Sequence, residues 1–255
     1  MAHIKIKHNK SFVLNDGVKK VMEDAPPPAP EKLKEIFDNS QDYEVIVTTT
    51  DGRIVTGFQN PAVQKPSIIY EPNPIVTFFA VAQKYTQFTI DQKNKLLAEM
   101  SLSDMIVDKQ LHKTHNFISV ASISTLFMFT SLETMLNIQI EQNNKPLMHD
   151  GKERSVEYIL RKVLFGSKVK EILPQIHTKN FHSDFGHKYD EIKKLKDLRN
   201  NIMHYKSGSE KVSGVRPFIT AHLKFEFEMA LEATKDFINY YNPNLIEYCP
   251  CGKDL

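Results

Sequence analysis

The strongest constraint on the fold is the stretch NFISVASISTLFMFTSL, residues 116 to 132, the longest in the chain without a charged residue or histidine. Its apolar residues recur at spacings of three and four, from Ile118 through Met128 to Met135, which is the period of an α-helix. Apolar residues also cover the other faces, so this helix should lie at the centre of a core. The stretch falls short of the roughly 20 residues that a membrane-spanning helix needs, and Asn, Ser and Thr interrupt it. We therefore predict a buried core helix and no membrane segment.

Further helical patterns follow in the second half of the chain. One helix is predicted over residues 154 to 166, where the final glycine is a plausible stop. Another, capped by Asp184, is predicted to run through HKYDEIKKLKDLRNNIMHY. A last helix starts near Pro217 and carries an apolar stripe as far as Tyr240. Short connections between helices predict an α-helical bundle, which we assign to residues 105 to 243.

The first hundred residues have a different sequence pattern. Residues 43 to 59, YEVIVTTTDGRIVTGFQ, hold two β-branched runs around Asp51-Gly52, the pattern of a β-hairpin. Residues 25 to 30, APPPAP, should form an extended spacer. The predicted fold class is thus mainly α, a helical bundle preceded by a small α+β element over residues 1 to 100. Residues 244 to 255 are expected to form a C-terminal tail.

Composition favours an ordinary globular protein. The chain has 255 residues, 41% of them hydrophobic and 25% charged, and its formal net charge is +2. The charge is uneven, since residues 161 to 216 hold 13 Lys and Arg against 6 Asp and Glu, an excess of seven. Such a region suits a phosphate-bearing partner such as RNA, and a solvated lysine-rich helix face explains it equally well.

The two cysteines, Cys249 and Cys251, are separated by one residue and are poorly placed to bridge each other, which fits a reducing cytoplasm. The basic N-terminus precedes no apolar segment, so no secretory signal is predicted. The tail YCPCGKDL resembles the start of zinc-binding Cys-Pro-Cys-Gly tails but lacks their later ligands. Thiols without a metal are expected there, unless the tails of two chains in a dimer together supply four sulfur ligands to one metal.

Three histidines, His177, His182 and His187, recur every five residues. The segment contains a glycine and lacks the helical spacing of metal ligands, so no metal is predicted at these residues. No cofactor is expected.

The segment LRNNIMHYK, residues 198 to 206, interrupts an otherwise apolar helical pattern with Arg199, Asn200 and His204. Metal-free RNA cleavage needs a group that moves a proton to or from the 2′-hydroxyl or the leaving 5′-oxygen, and histidine titrates near neutrality. It also needs a fixed cation for the non-bridging phosphate oxygens, and arginine binds phosphate in a bidentate way. Asn200 is suited to orient either group.

An arginine followed after four to six residues by a histidine resembles the signature of the HEPN superfamily. A second pair, Arg216 and His222, also has this spacing, but proline follows its arginine where the family usually has a polar residue. Arg199 is followed by asparagine, and it lies late in a predicted helical domain, as in the family. Residues 121 to 137 resemble the family's first helix, with Glu133 set in an apolar surface. We therefore treat Arg216 and His222 as a chance match.

The resemblance implies a metal-independent endoribonuclease that cleaves through a 2′,3′-cyclic phosphate and acts as a homodimer. It also implies roles in toxin–antitoxin pairs, antiviral (abortive infection) defence or RNA processing, with an antitoxin or regulatory protein as a further partner. Arg199, Asn200 and His204 are the candidate catalytic residues. Glu133 is a candidate for orienting Arg199, and Tyr205 for packing or substrate stacking. The alternatives are a non-catalytic HEPN module that binds nucleotide or RNA, and a helical scaffold protein.

Helical geometry adds a constraint on this site. Five residues along an ideal helix separate Arg199 and His204 by about 140°. The two side chains therefore point the same way only if the helix distorts, if the long arginine wraps around it, or if two copies of the motif face one cleft in a dimer.

Overall fold

The computed structural model describes residues 2–9, 11–13, 29, 31, 35, 45–48, 53–60, 67–99, 107–143, 145–204 and 215–251. The chain forms two compact units, one of residues 6–74 and a larger one of residues 1–5 and 75–255. The boundary therefore lies near residue 75, whereas the sequence pattern suggested residue 100. The reason is that Ile75, Val76 and Phe79 are buried in the same core cluster as the long central helix.

In the smaller unit, the described strands form one antiparallel sheet around β3. Its strands are β1 (Ser11–Val13), β2 (Val45–Thr48), β3 (Arg53–Gln59) and β4 (Ile68–Tyr70), and β3 pairs with each of the others. β2 and β3 form the predicted hairpin, with Thr48 opposite Ile54, and its Asp51-Gly52 turn lies outside the described residues. Gly57 is needed in β3 because a Cβ there would lie 2.7 Å from the backbone oxygen of Ile69 in β4.

The larger unit is a helical assembly with one small hairpin in its described part. Its elements, in chain order, are α1 (Pro74–Glu99), α2 (Val107–Gln142), β5 (Leu147–His149), β6 (Lys152–Arg154), α3 (Val156–Lys162), α4 (Phe165–Ser167), a π-helical turn (Lys168–Ile172), α5 (Leu173–His177), α6 (Phe181–Asp184), α7 (Gly186–Met203), α8 (Arg216–Lys224) and α9 (Phe227–Tyr241). The prediction of a mainly α protein with a small strand element is confirmed.

The predicted central helix is α2, and it packs against α7 and α9. Met128, Leu132 and Met135 have no exposed surface, and Ser124 shares a buried hydrogen bond of 2.7 Å with Thr86 of α1. Among the described residues, the segment Gln110–Gln142 is long and apolar enough to span a membrane by length and composition, with a mean hydropathy of 1.3. Its position at the centre of the core is compatible with a soluble protein.

Three predicted helix ends are wrong. Asp184 ends α6 instead of capping α7, and its carboxylate accepts a hydrogen bond from the Tyr240 hydroxyl. The helix predicted to stop at Gly166 ends at Lys162, where Val163 turns extended. The last predicted helix is divided into α8 and α9 at Phe225, which has φ −77° and ψ 135°. Both breaks occur at apolar residues that are buried in the fold, so tertiary packing overrides the helical pattern there.

Candidate functional site

The candidate site begins at the C-terminal end of α7. Earlier in this helix, Ile192, Leu195 and Leu198 are buried and attach it to the core. After Leu198 the last turn carries Arg199 and two asparagines and reaches solvent. The helix ends at Met203, and the exposed His204 is its C-cap, whose backbone N–H donates to the Asn200 carbonyl at 2.9 Å. Tyr205 lies outside the described residues.

Arg199 is held on three sides. Its Nη1 donates to the side-chain oxygen of Asn200 at 3.2 Å, and its Nη2 lies 3.7 Å from Oε2 of Glu133. The guanidinium carbon lies 5.2 Å from the centre of the Phe129 ring, the geometry of a cation–π contact. The side chain keeps 27% of its surface exposed. Arg199 is therefore oriented and still accessible, which is what binding a phosphate requires.

Two partners of Arg199, Phe129 and Glu133, lie on one face of α2. Phe129, Glu133 and Asn137 are spaced four residues apart, so they form a single stripe along the helix. The amine of Lys168 donates to Asn137 Oδ1 at 3.3 Å and to the Leu160 carbonyl at 3.0 Å. Burial lowers the pKa of Lys168, and the nearby charge of Glu133 opposes this by raising it. Glu133 is thus the acidic group between two cations.

Sequence reasoning missed Asn137 and Lys168. The four-residue spacing from Glu133 gave a signal for Asn137. No local pattern pointed to Lys168, because it reaches α2 from the π-helical turn. The contact between Glu133 and Arg199 was expected from the sequence. Its role in orienting the arginine stays a prediction.

The backbone at His204 departs from the helix. Its φ of −121° and ψ of 38° lie outside the helical range, so the separation of about 140° expected for a continuous helix does not hold for this residue.

A basic cavity of about 350 Å³ lies between α7 and the chain around the π-helical turn, and Asp190 is the acidic residue in its lining. Its lining includes Lys170, Lys193 and Lys196, and the Lys170 amine lies 5.4 Å from the centre of the Tyr189 ring. Phe165, another lining residue, packs against Phe129 with ring centres 4.9 Å apart. Phe129 also contacts Arg199, so one packed aromatic pair separates the cavity from the arginine. We call the cavity the basic groove.

The remaining histidines have other environments. His177 packs on Tyr241 at 5.1 Å, and both burial and the charge of Lys179 lower its pKa. His182 packs edge-on against Tyr189 at 4.8 Å, and His187 is exposed. Among the described residues, the groups with metal-ligand geometry do not include these three. The groups with that geometry are His3 with Cys249 and Cys251, and His149 with Asp150 and Glu171.

His222 is a core residue. Its exposed fraction is 0%, its Nδ1 lies 2.8 Å from the Phe218 carbonyl, and burial lowers its pKa. Arg216, the other member of this second pair, is exposed at the start of α8. A histidine enclosed in this way cannot reach an RNA backbone on the surface.

Comparison of the chain with protein-family models, with curated proteins and with solved structures gives no match in any of the three.

Proposed function

We propose that this protein is a metal-independent endoribonuclease of the HEPN type, acting as a cytoplasmic homodimer. The observation that carries the proposal is Arg199 near the end of α7, which Glu133, Asn200 and Phe129 hold in place, together with the exposed His204 at the C-cap of the same helix. An accessible arginine and an exposed histidine are the two groups that metal-free RNA cleavage needs.

The chemistry assigns one task to each group. His204 accepts the proton of the attacking 2′-hydroxyl or donates one to the leaving 5′-oxygen, a contribution of about 10² to 10⁴ in rate. The new bond joins the 2′-oxygen to phosphorus, and the bond from phosphorus to the 5′-oxygen breaks, which gives a 2′,3′-cyclic phosphate. Arg199 binds the non-bridging oxygens, since its contact with Glu133 leaves other N–H groups for the phosphate.

The basic groove supports RNA as the substrate. Lys170, Lys193 and Lys196 present three positive charges in a cavity whose Phe165 packs against Phe129, the ring next to Arg199. RNA affinity should then fall steeply as salt rises, because phosphate binding releases counterions.

A homodimer accounts for the spacing of the motif. If both copies of Arg199 and His204 line one cleft, an arginine of one chain can serve the histidine of the other. Mixing inactive Arg199→Ala and His204→Ala chains tests this, since a shared site regains activity in the mixed dimer. A fully active monomer in analytical ultracentrifugation, at the assay concentration, contradicts the shared cleft.

The decisive experiment incubates the purified protein with total RNA in the presence of EDTA. The wild type should cut RNA, and both His204→Ala and Arg199→Ala should not. The matched control is His187→Ala, which removes another exposed histidine of α7 that lies outside the motif. Cleavage by His204→Ala at the wild-type rate refutes the catalytic assignment.

The second candidate is a non-catalytic HEPN module that binds nucleotide or RNA. The observation in its favour is that Arg199 is already paired with Glu133. A thermal shift with nucleotide, without RNA cleavage, selects this alternative, and the absence of both leaves a helical scaffold. Under the first proposal, the protein acts as a toxin, as an antiviral effector or in RNA processing. A neighbouring gene for an antitoxin-like protein would favour the first of these.

A further inference from the structure

The two ends of the larger unit meet in a short antiparallel bridge. Ile4 pairs with Tyr248, the Lys5 N–H donates to the Glu247 carbonyl at 2.8 Å, and the Cys249 N–H donates to the His3 carbonyl at 2.7 Å. Residues opposite each other in an antiparallel pair project to the same side. The bridge therefore places the side chains of His3 and Cys249 next to each other.

Cys251 completes this cluster. The chain turns after Cys249 and brings the sulfur of Cys251 to the His3 ring. The Cys251 Sγ lies 3.5 Å from Nε2 and 3.7 Å from Nδ1 of His3. One ring nitrogen and the two sulfurs all lie within 4.8 Å of one another. His3 and Cys249 are half-buried and Cys251 is exposed, so solvent reaches the cluster from one side.

The distance of 3.5 Å between Cys251 Sγ and His3 Nε2 matches two neighbouring ligands of a tetrahedral metal site. With a Zn–S bond of about 2.3 Å and a Zn–N bond of about 2.0 Å, the sulfur and nitrogen of neighbouring ligands lie about 3.5 Å apart. Two thiolates and an imidazole are donors that Zn²⁺ favours. We propose that His3, Cys249 and Cys251 bind one zinc ion per chain, with water at the fourth position.

The proposed site differs from the sequence-based expectation that the cysteine tail binds no metal without a second tail. The third ligand comes from the opposite end of the sequence, 248 residues away from Cys251. A metal clip over so long a loop removes much conformational freedom from the unfolded chain. The zinc ion would fasten the N-terminal segment, which is also held by a 2.9 Å hydrogen bond from Gln83 to the Ala2 carbonyl.

The other cluster with ligand geometry has a simpler explanation. His149 lies 2.9 Å from Glu171 through Nδ1 and 3.2 Å from Asp150 through Nε2, so each ring nitrogen already faces a carboxylate. The side chains of these two acids are 46% and 71% exposed, as is usual for surface ion pairs. This cluster serves as the control for the proposed zinc site.

The test uses reduced, full-length protein without a polyhistidine tag, reconstituted with Co²⁺ as a spectroscopic probe and with Zn²⁺ for metal analysis. We expect one ion per chain, thiolate-to-cobalt charge-transfer absorption and the visible bands of tetrahedral cobalt. Cys249→Ser and Cys251→Ser should each reduce the charge-transfer absorption of the two thiolates by half or more. Each should also weaken zinc binding more than about 100-fold, which exceeds the loss usual for an outer-shell partner. His3→Ala should weaken binding and leave the thiolate bands, and the control His149→Ala should change neither.

Zinc should also raise the thermal unfolding temperature of the wild type and leave that of the Cys249→Ser, Cys251→Ser double variant unchanged. The absence of thiolate-to-cobalt absorption in the reduced wild type overturns the proposal. So does half an ion per chain that His3→Ala does not affect, because that result indicates four sulfurs pooled by two tails. The ligands include neither Arg199 nor His204, so these outcomes are independent of whether the protein cuts RNA.

Discussion

The comparison of His222→Ala with His204→Ala tests the functional assignment most directly. Both residues follow an arginine at a spacing that the motif allows, yet one is enclosed in the core and the other is exposed at the end of α7. We expect His222→Ala to lower stability and leave RNA cleavage nearly unchanged. His204→Ala should lower RNA cleavage and leave stability nearly unchanged.

The structure sets the expected size of each effect. His222→Ala removes a fully buried ring and its contact with the Phe218 carbonyl, so the free energy of unfolding should fall by about 3 kcal/mol. His204→Ala changes an exposed side chain, so the same quantity should move by less than about 0.5 kcal/mol. The cleavage rate should fall by about 10² to 10⁴ in His204→Ala and stay near the wild-type value in folded His222→Ala.

Urea unfolding measures the stability of each variant, and the cleavage assay is run well below the lower unfolding midpoint. If folded His222→Ala loses activity while His204→Ala keeps it, the two assignments must be exchanged. If both keep activity, the catalytic histidine lies elsewhere.

The pH dependence of stability gives an independent check on His222. Because burial depresses its pKa in the folded state below 6.5, the unfolded chain binds this proton at a higher pH than the folded chain does. Its contribution to stability is complete above pH 6.5 and is lost as the pH falls through the folded pKa. The stability of His222→Ala should therefore vary less between pH 7 and pH 5 than that of the wild type. His177, whose pKa is also depressed, remains to give a residual slope.

Three further predictions concern Glu133, Lys168 and the lysines of the basic groove. Glu133→Gln should lower the cleavage rate and cost at most about 1 kcal/mol in urea unfolding, because the ion pair is partly exposed; a wild-type rate would show that Arg199 needs no acidic partner. The free energy of unfolding of the wild type should rise as the pH increases from the lowered folded pKa of Lys168 to 10.5, the pKa of the unfolded chain. Unfolding curves at pH 7 and pH 10 should show a smaller rise in Lys168→Met than in the wild type. Equal rises in the two proteins would count against a depressed pKa. Changing Lys193 and Lys196 to Gln should reduce the dependence of log affinity on log salt by about 0.7 per lost phosphate contact, whereas exposed Lys152→Gln should not.

The sequence by itself determined the elements whose signal is local and strong. The length and apolar surface of the stretch around Met128 required a central helix, and the β-branched runs of residues 43 to 59 required a hairpin. The polar end of LRNNIMHYK was recognisable because a core helix has no reason to carry it. Each of these signals depends on the period of one segment or on its composition, which no distant residue has to complete.

Only the tertiary structure decided where helices stop. Val163 and Phe225 have side chains compatible with a helix, and local propensity predicted no break at either. The chain turns at these residues because burying their side chains stabilises the fold by more than another helical turn would. For the same reason His222, which shares the motif's spacing, became part of the core.

Tertiary structure also decided which functional groups meet. Glu133 was recognisable as an unusual acid in an apolar helix, but its distance to Arg199 depends on how α2 packs against α7. Lys168 reaches the same stripe through the π-helical turn. His3 joins Cys249 and Cys251 because the two ends of the larger unit pair as strands. Contacts between residues so far apart in sequence arise from packing of the whole chain, so no local pattern encodes them.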